Sequence, residues 1–188
     1  MESGEAFLTF FKLGVEHIIT GYDHLLFLAA LLIVSRRWQD IVAVVTSFTV
    51  AHSITLALAS LDIVSIPGSI VEPLIAASIV WVGIENIWRR GEPKARWIAV
   101  FAFGLLHGFG FAGILRELGL GSDGQGIILP LFSFNLGVEI GQVALVALAL
   151  PLLHWARKSP QYDLRAQPIM SGIVAAMGLY WLVERTLL

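Results

Sequence analysis

The sequence predicts an all-α protein, a polytopic membrane bundle of six or seven transmembrane helices. Three observations predict it. Of the 188 residues, 57% are hydrophobic and 14% charged, with a mean hydropathy of +0.81, whereas soluble domains carry about 25% charged residues. The apolar residues gather into six runs, each at or above the roughly 20 residues a helix needs to cross a bilayer. Lysine and arginine concentrate in alternate loops between those runs.

The runs cover residues 6–34, 40–61, 69–88, 97–115, 127–154 and 168–187. The first is long and has Gly21 at its middle. Two readings stay open for it: one tilted helix, or a short helix to Thr20 followed by a second from Tyr22. Broken helices at membrane depth are tolerated where they line a protein cavity, and they often mark binding sites. The spacings Gly104-x-x-x-Gly108 and Gly137-x-x-x-Gly141 suit close helix–helix packing. No linker or low-complexity tract interrupts the runs, so residues 1–188 read as a single integral membrane domain.

Nine of the twelve Lys and Arg residues lie in the first, third and fifth loops, among them Arg36, Arg37, Arg89, Arg90, Lys94, Arg96, Arg157, Lys158 and Arg165. In the fourth loop Arg116 is offset by Glu117 and Asp123. By the positive-inside rule the loops at 35–39, 89–96 and 155–167 are expected to be cytoplasmic. Trp38, Trp88 and Trp97 at segment ends fit an interfacial aromatic belt. The expected location is the bacterial inner membrane. Six crossings leave both termini outside; seven put the N-terminus inside. The acidic start, MESGEAF, lacks the basic region of a signal peptide. Either the first segment stays in the mature protein or a longer precursor was trimmed.

The chemistry gathers in EHIITGYDHLLFL, residues 16–28, which sets Glu16, His17, Asp23 and His24 inside an apolar run. Glu16 and Asp23 are seven residues apart, as are His17 and His24, close to two helical turns. Ionisable groups in hydrocarbon are costly unless paired or ligating. His52 and His107 lie near the middle of their own segments, as do Asn135 and Glu139, so groups from four helices are expected at similar depth. His154 lies at a segment end and reads as interfacial. There is no cysteine, so a metal would be held by nitrogen and oxygen, and imidazole with carboxylate suits nickel, cobalt, zinc and iron. The candidate ligands are His17, Asp23, His24, His52, His107 and Glu139.

A second group reads as supporting or lining a path. It comprises Glu16, Ser47, Thr49, Ser53, Glu85, Asn86, Asn135 and Gln142. Asn135, Glu139 and Gln142 recur at spacings of four and three, which makes one polar stripe expected to face the bundle or a cavity. The Ser and Thr residues have a plainer reading, as donors to their own backbone one turn back. Glu85 stands four residues before Arg89, the spacing of a helical ion pair. Glu72, just inside the opposite end of that segment, reads either as a cation attractor or as a carboxylate complementing the helix dipole.

Taken together the motifs resemble the HupE/UreJ family of membrane proteins, associated with nickel and cobalt uptake for hydrogenase and urease. The resemblance covers nearly the whole chain. It rests on Gly14-x-Glu16-His17-Ile18, Gly21-x-Asp23-His24-Leu25-Leu26-Phe27-Leu28, Thr46-Ser47-Phe48-Thr49-x-Ala51-His52-Ser53, Glu85-Asn86, Phe103-Gly104-Leu105-x-His107-Gly108, and Phe132-x-Phe134-Asn135-x-Gly137-x-Glu139-x-Gly141-Gln142. His17-x5-Asp23-His24 is also similar to the H-x4-D-H signature of nickel/cobalt permeases, one residue longer. The resemblance implies that His17, Asp23, His24, His52 and His107 bind a transported divalent cation.

Two functions are therefore expected candidates. One is a transporter moving Ni²⁺ or Co²⁺. The other is an intramembrane zinc-dependent hydrolase, with Asp23 or Glu139 as base, by analogy with alkaline-ceramidase-like enzymes. Transport is favoured because Glu72, Glu85 and the Ser/Thr residues supply polar groups at several depths. The expected partners are a metal ion and lipid, and a homo-oligomer stays open. No nucleotide-binding motif is present and no nucleic-acid partner is expected.

Overall fold

The computed structural model describes residues 3–89, 95–117 and 126–187, with side chains absent from the description for 112–117. The described residues hold seven α-helices and no strand. They are α1 (Ser3–Thr20), α2 (Tyr22–Val34), α3 (Trp38–Ser60), α4 (Gly68–Arg89), α5 (Arg96–Glu117), α6 (Ile128–Ala156) and α7 (Gln167–Leu187), with a π-helical turn at Tyr162–Ala166 leading into α7. The six expected segments are all helical, and the first divides at Gly21. The third-loop charges Arg90 and Lys94 lie outside the described residues, as does Asp123; Arg116 and Glu117 lie where side chains are not described.

Long runs of Leu, Ile, Val and Ala become helices here because apolar surroundings leave a backbone no partner but itself. Four helical stretches are long and apolar enough to cross a membrane: α3, α4, α6, and α7 with its leading turn. The α1–α2 pair makes a fifth if taken as one broken span, bent by 65°. The described apolar part of α5, Arg96–Phe111, is shorter. Large apolar side chains such as Ile140, Leu148, Ile173 and Leu179 are exposed on the outer faces, and Trp38, Trp88, Trp97 and Trp155 are exposed at helix ends. These helices fit an integral membrane protein.

The bundle is built from three tightly packed helix pairs: α3 with α5, α1 with α6, and α4 with α7. Glycine sets each crossing. A Cβ on Gly104 would stand 2.8 Å from the Phe48 carbonyl oxygen, and one on Gly108 would overlap the His52 carbonyl. In the second pair a Cβ on Gly14 would meet the Phe134 carbonyl, and one on Gly137 the Phe11 carbonyl. In the third, Gly83 lies against Ala175 and Gly178 against Ile79. Small residues thus let backbones approach where lipid supplies no hydrophobic drive between helices.

The short α2 sits among these pairs, touching α1, α3, α4, α6 and α7. Phe27, Leu28 and residues 30–34 are all buried, as expected of a helix apolar on every side. Its last carbonyls are satisfied from outside. Arg157 donates to Leu32 O (2.5 Å) and the Tyr162 hydroxyl to Ile33 O (2.9 Å). Asn86 donates to Ala30 O (2.8 Å), accepts from Arg96 (2.7 Å), and takes Gln167 on its backbone carbonyl (2.7 Å). Asn86, expected as a path residue, is therefore part of a buried set that anchors α2.

Gly137→Val should weaken the α1–α6 crossing by at least the 1–3 kcal/mol or so typical of overpacking. Gly172→Ala, whose new methyl meets nothing within 4 Å, should leave stability unchanged or raise it by up to about 1 kcal/mol, since alanine is the better helix former. Thermal unfolding of both variants in detergent checks this.

Candidate metal centre

The centre begins at the break. α1 ends at Thr20, whose hydroxyl donates to the Glu16 carbonyl (2.8 Å). Gly21 is extended (φ −74°, ψ 91°). Its N–H still reaches His17 O (2.9 Å), and its carbonyl accepts from Leu25 N (3.0 Å). The backbone thus keeps two hydrogen bonds at the break itself. A Cβ at this position would lie 2.6 Å from His17 O and 2.8 Å from His24 Nδ1. Only glycine lets the end of α1 and the start of α2 close on each other there.

The closure brings the His17 and His24 rings edge to face, 4.6 Å between centroids. His52 arrives from α3, at 5.9 Å from His17 and 5.8 Å from His24. His107 arrives from α5, 5.1 Å from His24. Gly104 and Gly108 flank His107 on α5 and allow the α3–α5 approach that sets it beside His52. One nitrogen from each of His17, His24 and His52 falls in a group whose members lie within 4.8 Å of one another. Metal–imidazole bonds are about 2.0–2.1 Å, so two of them span at most about 4.2 Å. Nitrogens at the widest separation must draw in by at least about 0.6 Å to share one ion.

The nitrogens are poised for ligation. His107 Nδ1 sits 2.8 Å from the Phe103 carbonyl. A carbonyl can only accept, so Nδ1 carries the proton and Nε2 keeps its lone pair. Among the described residues, Nε2 of His17, His24, His52 and His107, and Nδ1 of His52, are buried without a hydrogen-bond partner. Each unsatisfied buried polar atom costs about 1–3 kcal/mol. Four rings in this state make a donor set that a cation would satisfy.

Phenylalanines wall the group. Phe111 lies 4.0 Å and Phe134 5.5 Å from His17, ring centroid to ring centroid. Phe48 lies 5.8 Å from His24, and both Phe27 and Phe48 lie 5.1 Å from His107. This cage excludes water and strengthens any electrostatic interaction inside it.

The other expected site residues fall elsewhere. Asp23 is turned to α7, where Arg185 Nη2 stands 3.0 Å from both carboxylate oxygens. Glu16 is exposed on the outer side of α1. The stripe on α6 splits. Gln142 is buried and accepts the Thr49 hydroxyl (2.7 Å), while Glu139 is exposed. Glu139 lies in a shallow groove of about 310 Å³ between α3 and α6, with Thr49, Ser53 and Asn135. Asn135 donates to Leu131 O (2.9 Å), and its buried Oδ1 has no partner among the described residues. Thr49 and Ser53 donate to carbonyls one turn back, at 3.1 and 2.7 Å. Ser47 is half-buried in α3. Glu85 pairs with Arg89 (3.3 Å), the reading its spacing favoured. Glu72 is exposed, and His154 is exposed at the end of α6.

So the structure brings together the four histidines and sets neither Glu16 nor Glu139 among them. Two features were missed from the sequence. The Phe cage was present as recurrent Phe in the motif strings, but inward and lipid-facing Phe look alike in a sequence. Arg185 was visible as a lone arginine near the end of the last apolar run. An unpaired intramembrane Asp23 calls for such a partner.

Comparison with curated proteins and with solved structures gives no match. The sequence matches the family described as HupE / UreJ protein over residues 1–185. The chain belongs to the HupE/UreJ family.

Proposed function

We propose that this protein carries a divalent transition-metal cation, nickel or cobalt, across the membrane through the histidine centre. One observation carries the reading. Imidazoles from α1, α2 and α3 place ligand nitrogens within 4.8 Å of one another, with a fourth ring 5.1 Å from His24. Nitrogen donors without sulfur suit borderline cations such as nickel, cobalt and zinc, rather than calcium or magnesium. The family's association with nickel and cobalt narrows that set.

The transport cycle follows from the chemistry of the site. The ion exchanges hydration water for imidazole in the cage, then leaves toward the opposite face. The loop carrying Arg36 and Arg37 and the loop carrying Arg157, Lys158 and Arg165 mark the cytoplasmic side by the positive-inside rule. The α1–α2 break, with its 65° bend, is the kind of interrupted helix that transporters use around a central site. Asn135 and Glu139 lie in the α3–α6 groove, where they offer polar groups on an otherwise largely apolar surface. The hydrolase alternative needs a free carboxylate beside the ion to manage a proton. Asp23 is held by Arg185, and Glu139 faces outward, so the side chains favour a carrier.

Cobalt titration of the purified protein, followed by the absorption of the bound ion, tests the site. His52→Ala should weaken binding at least tenfold, and binding at wild-type strength would sink the reading. Uptake of labelled nickel into proteoliposomes should fall in parallel in His24→Ala.

Acid should also weaken binding. A protonated imidazole has no lone pair to give, so protons and metal compete for the same nitrogens. Cobalt affinity should therefore be highest where the imidazoles are neutral and decline once acid begins to protonate them. A cobalt titration series stepped down from neutral pH checks the sign.

A further inference from the structure

We infer that Arg185 gates the histidine centre by occupying Asp23 in place of the cation, an inference that rests on the transport reading. Arg185 lies in the last turn of α7 and Asp23 in the first turn of α2, 162 positions apart in the chain. One guanidinium nitrogen contacts both Asp23 oxygens at 3.0 Å, and the other donates to the Glu72 carbonyl on α4 (3.3 Å). The guanidinium also sits over the Trp181 ring, 5.5 Å from its centroid. Both charged side chains are largely shielded, with 20% of Arg185 and 25% of Asp23 exposed. The contact therefore ties three helices at one point, and that point neighbours the centre, since Asp23 and Arg185 are both close enough to act electrostatically on His107.

The charge balance gives the tie a function. The cage offers neutral imidazoles walled by phenylalanine, so an arriving divalent cation brings two positive charges and meets no counter-charge. Two carboxylates neighbour the cluster histidines in sequence. Glu16 points outward, and Asp23 is neutralised by Arg185. Arg185 and the cation thus compete for one carboxylate, and both cannot hold it fully. With Arg185 engaged, the site is closed and weakly attractive. With Asp23 released, the carboxylate joins the histidines and the site is loaded. The arginine then returns to Asp23 as the ion departs, which keeps the cation from being trapped. Arg185, the α2 start and the α4 start lie at the opposite helix ends from the arginine-rich loops, so this gate faces the outside.

The test is cobalt titration of the full chain in detergent, with proteoliposome uptake alongside. Arg185→Gln should bind cobalt about tenfold more tightly than wild type and transport it more slowly. Arg185→Lys, which keeps the charge but weakens the two-oxygen contact, should gain at least threefold. The double variant Asp23→Asn/Arg185→Gln should lose the gain. A folded Arg185→Gln protein with equal or weaker affinity would overturn the gate, and so would a gain that survives in the double variant. If Arg185→Gln does not fold, Arg185→Lys decides: affinity unchanged from wild type overturns the proposal. His52→Ala in the same assay separates the two readings. Unchanged binding there removes the metal centre itself. Lost binding there, with no effect from Arg185 variants, removes only the gate.

Discussion

Everything in this structure depends on one constraint: a bundle of long apolar helices has to pair its own backbone groups, yet the histidine cluster requires one helix to stop partway. Gly21 reconciles the two. Its N–H and carbonyl both keep partners, His17 O and Leu25 N, while the helix axis turns by 65°. Any side chain at that position would press on His17 O and His24 Nδ1. The break thus serves as geometry for two histidines while Gly21 keeps both of its own backbone hydrogen bonds.

The surrounding bundle frames the break. Three helix pairs, each drawn close by glycine, form walls, and α2 fills the space among them. Polar groups are confined to its two ends. Asp23 at its start is held by Arg185, and the last carbonyls are held by Arg157, Tyr162 and Asn86. Between those ends the packing is aliphatic and aromatic, so the histidine nitrogens are the main unsatisfied polar atoms at the core of the molecule.

Much of this was legible in the sequence. The six apolar runs, Gly21 as the place where the first could divide, the glycine pairs as packing positions and the similar depth of His24, His52 and His107 were readable from spacing and composition. The seven-residue repeat marked two of the histidines that meet, His17 and His24, for an incomplete reason. On one continuous helix the repeat would also align Glu16 with Asp23, but the bend turns Glu16 outward and Asp23 toward α7. Glu139 shows the same limit. A stripe at spacings of four and three defines a face, but the rotation of α6 against α3 decides that Gln142 goes in and Glu139 stays out. Such rotations arise from contacts between residues far apart in the chain, and the local pattern does not carry them. The Arg185–Asp23 contact, spanning 162 positions, is the extreme case.

The anchoring of α2 at its far end also limits how the molecule can move. Carbonyls fastened by Arg157, Tyr162 and Asn86 forbid the helix from sliding along its axis, and leave pivoting about that fixed foot as the motion available. Thirteen residues make a lever about 20 Å long. A tilt of about 5° then carries its tip sideways by about 1.7 Å, which is enough to part a carboxylate from a guanidinium at 3.0 Å. Small angular play at one buried foot is thereby converted into a making-and-breaking distance at the opposite face.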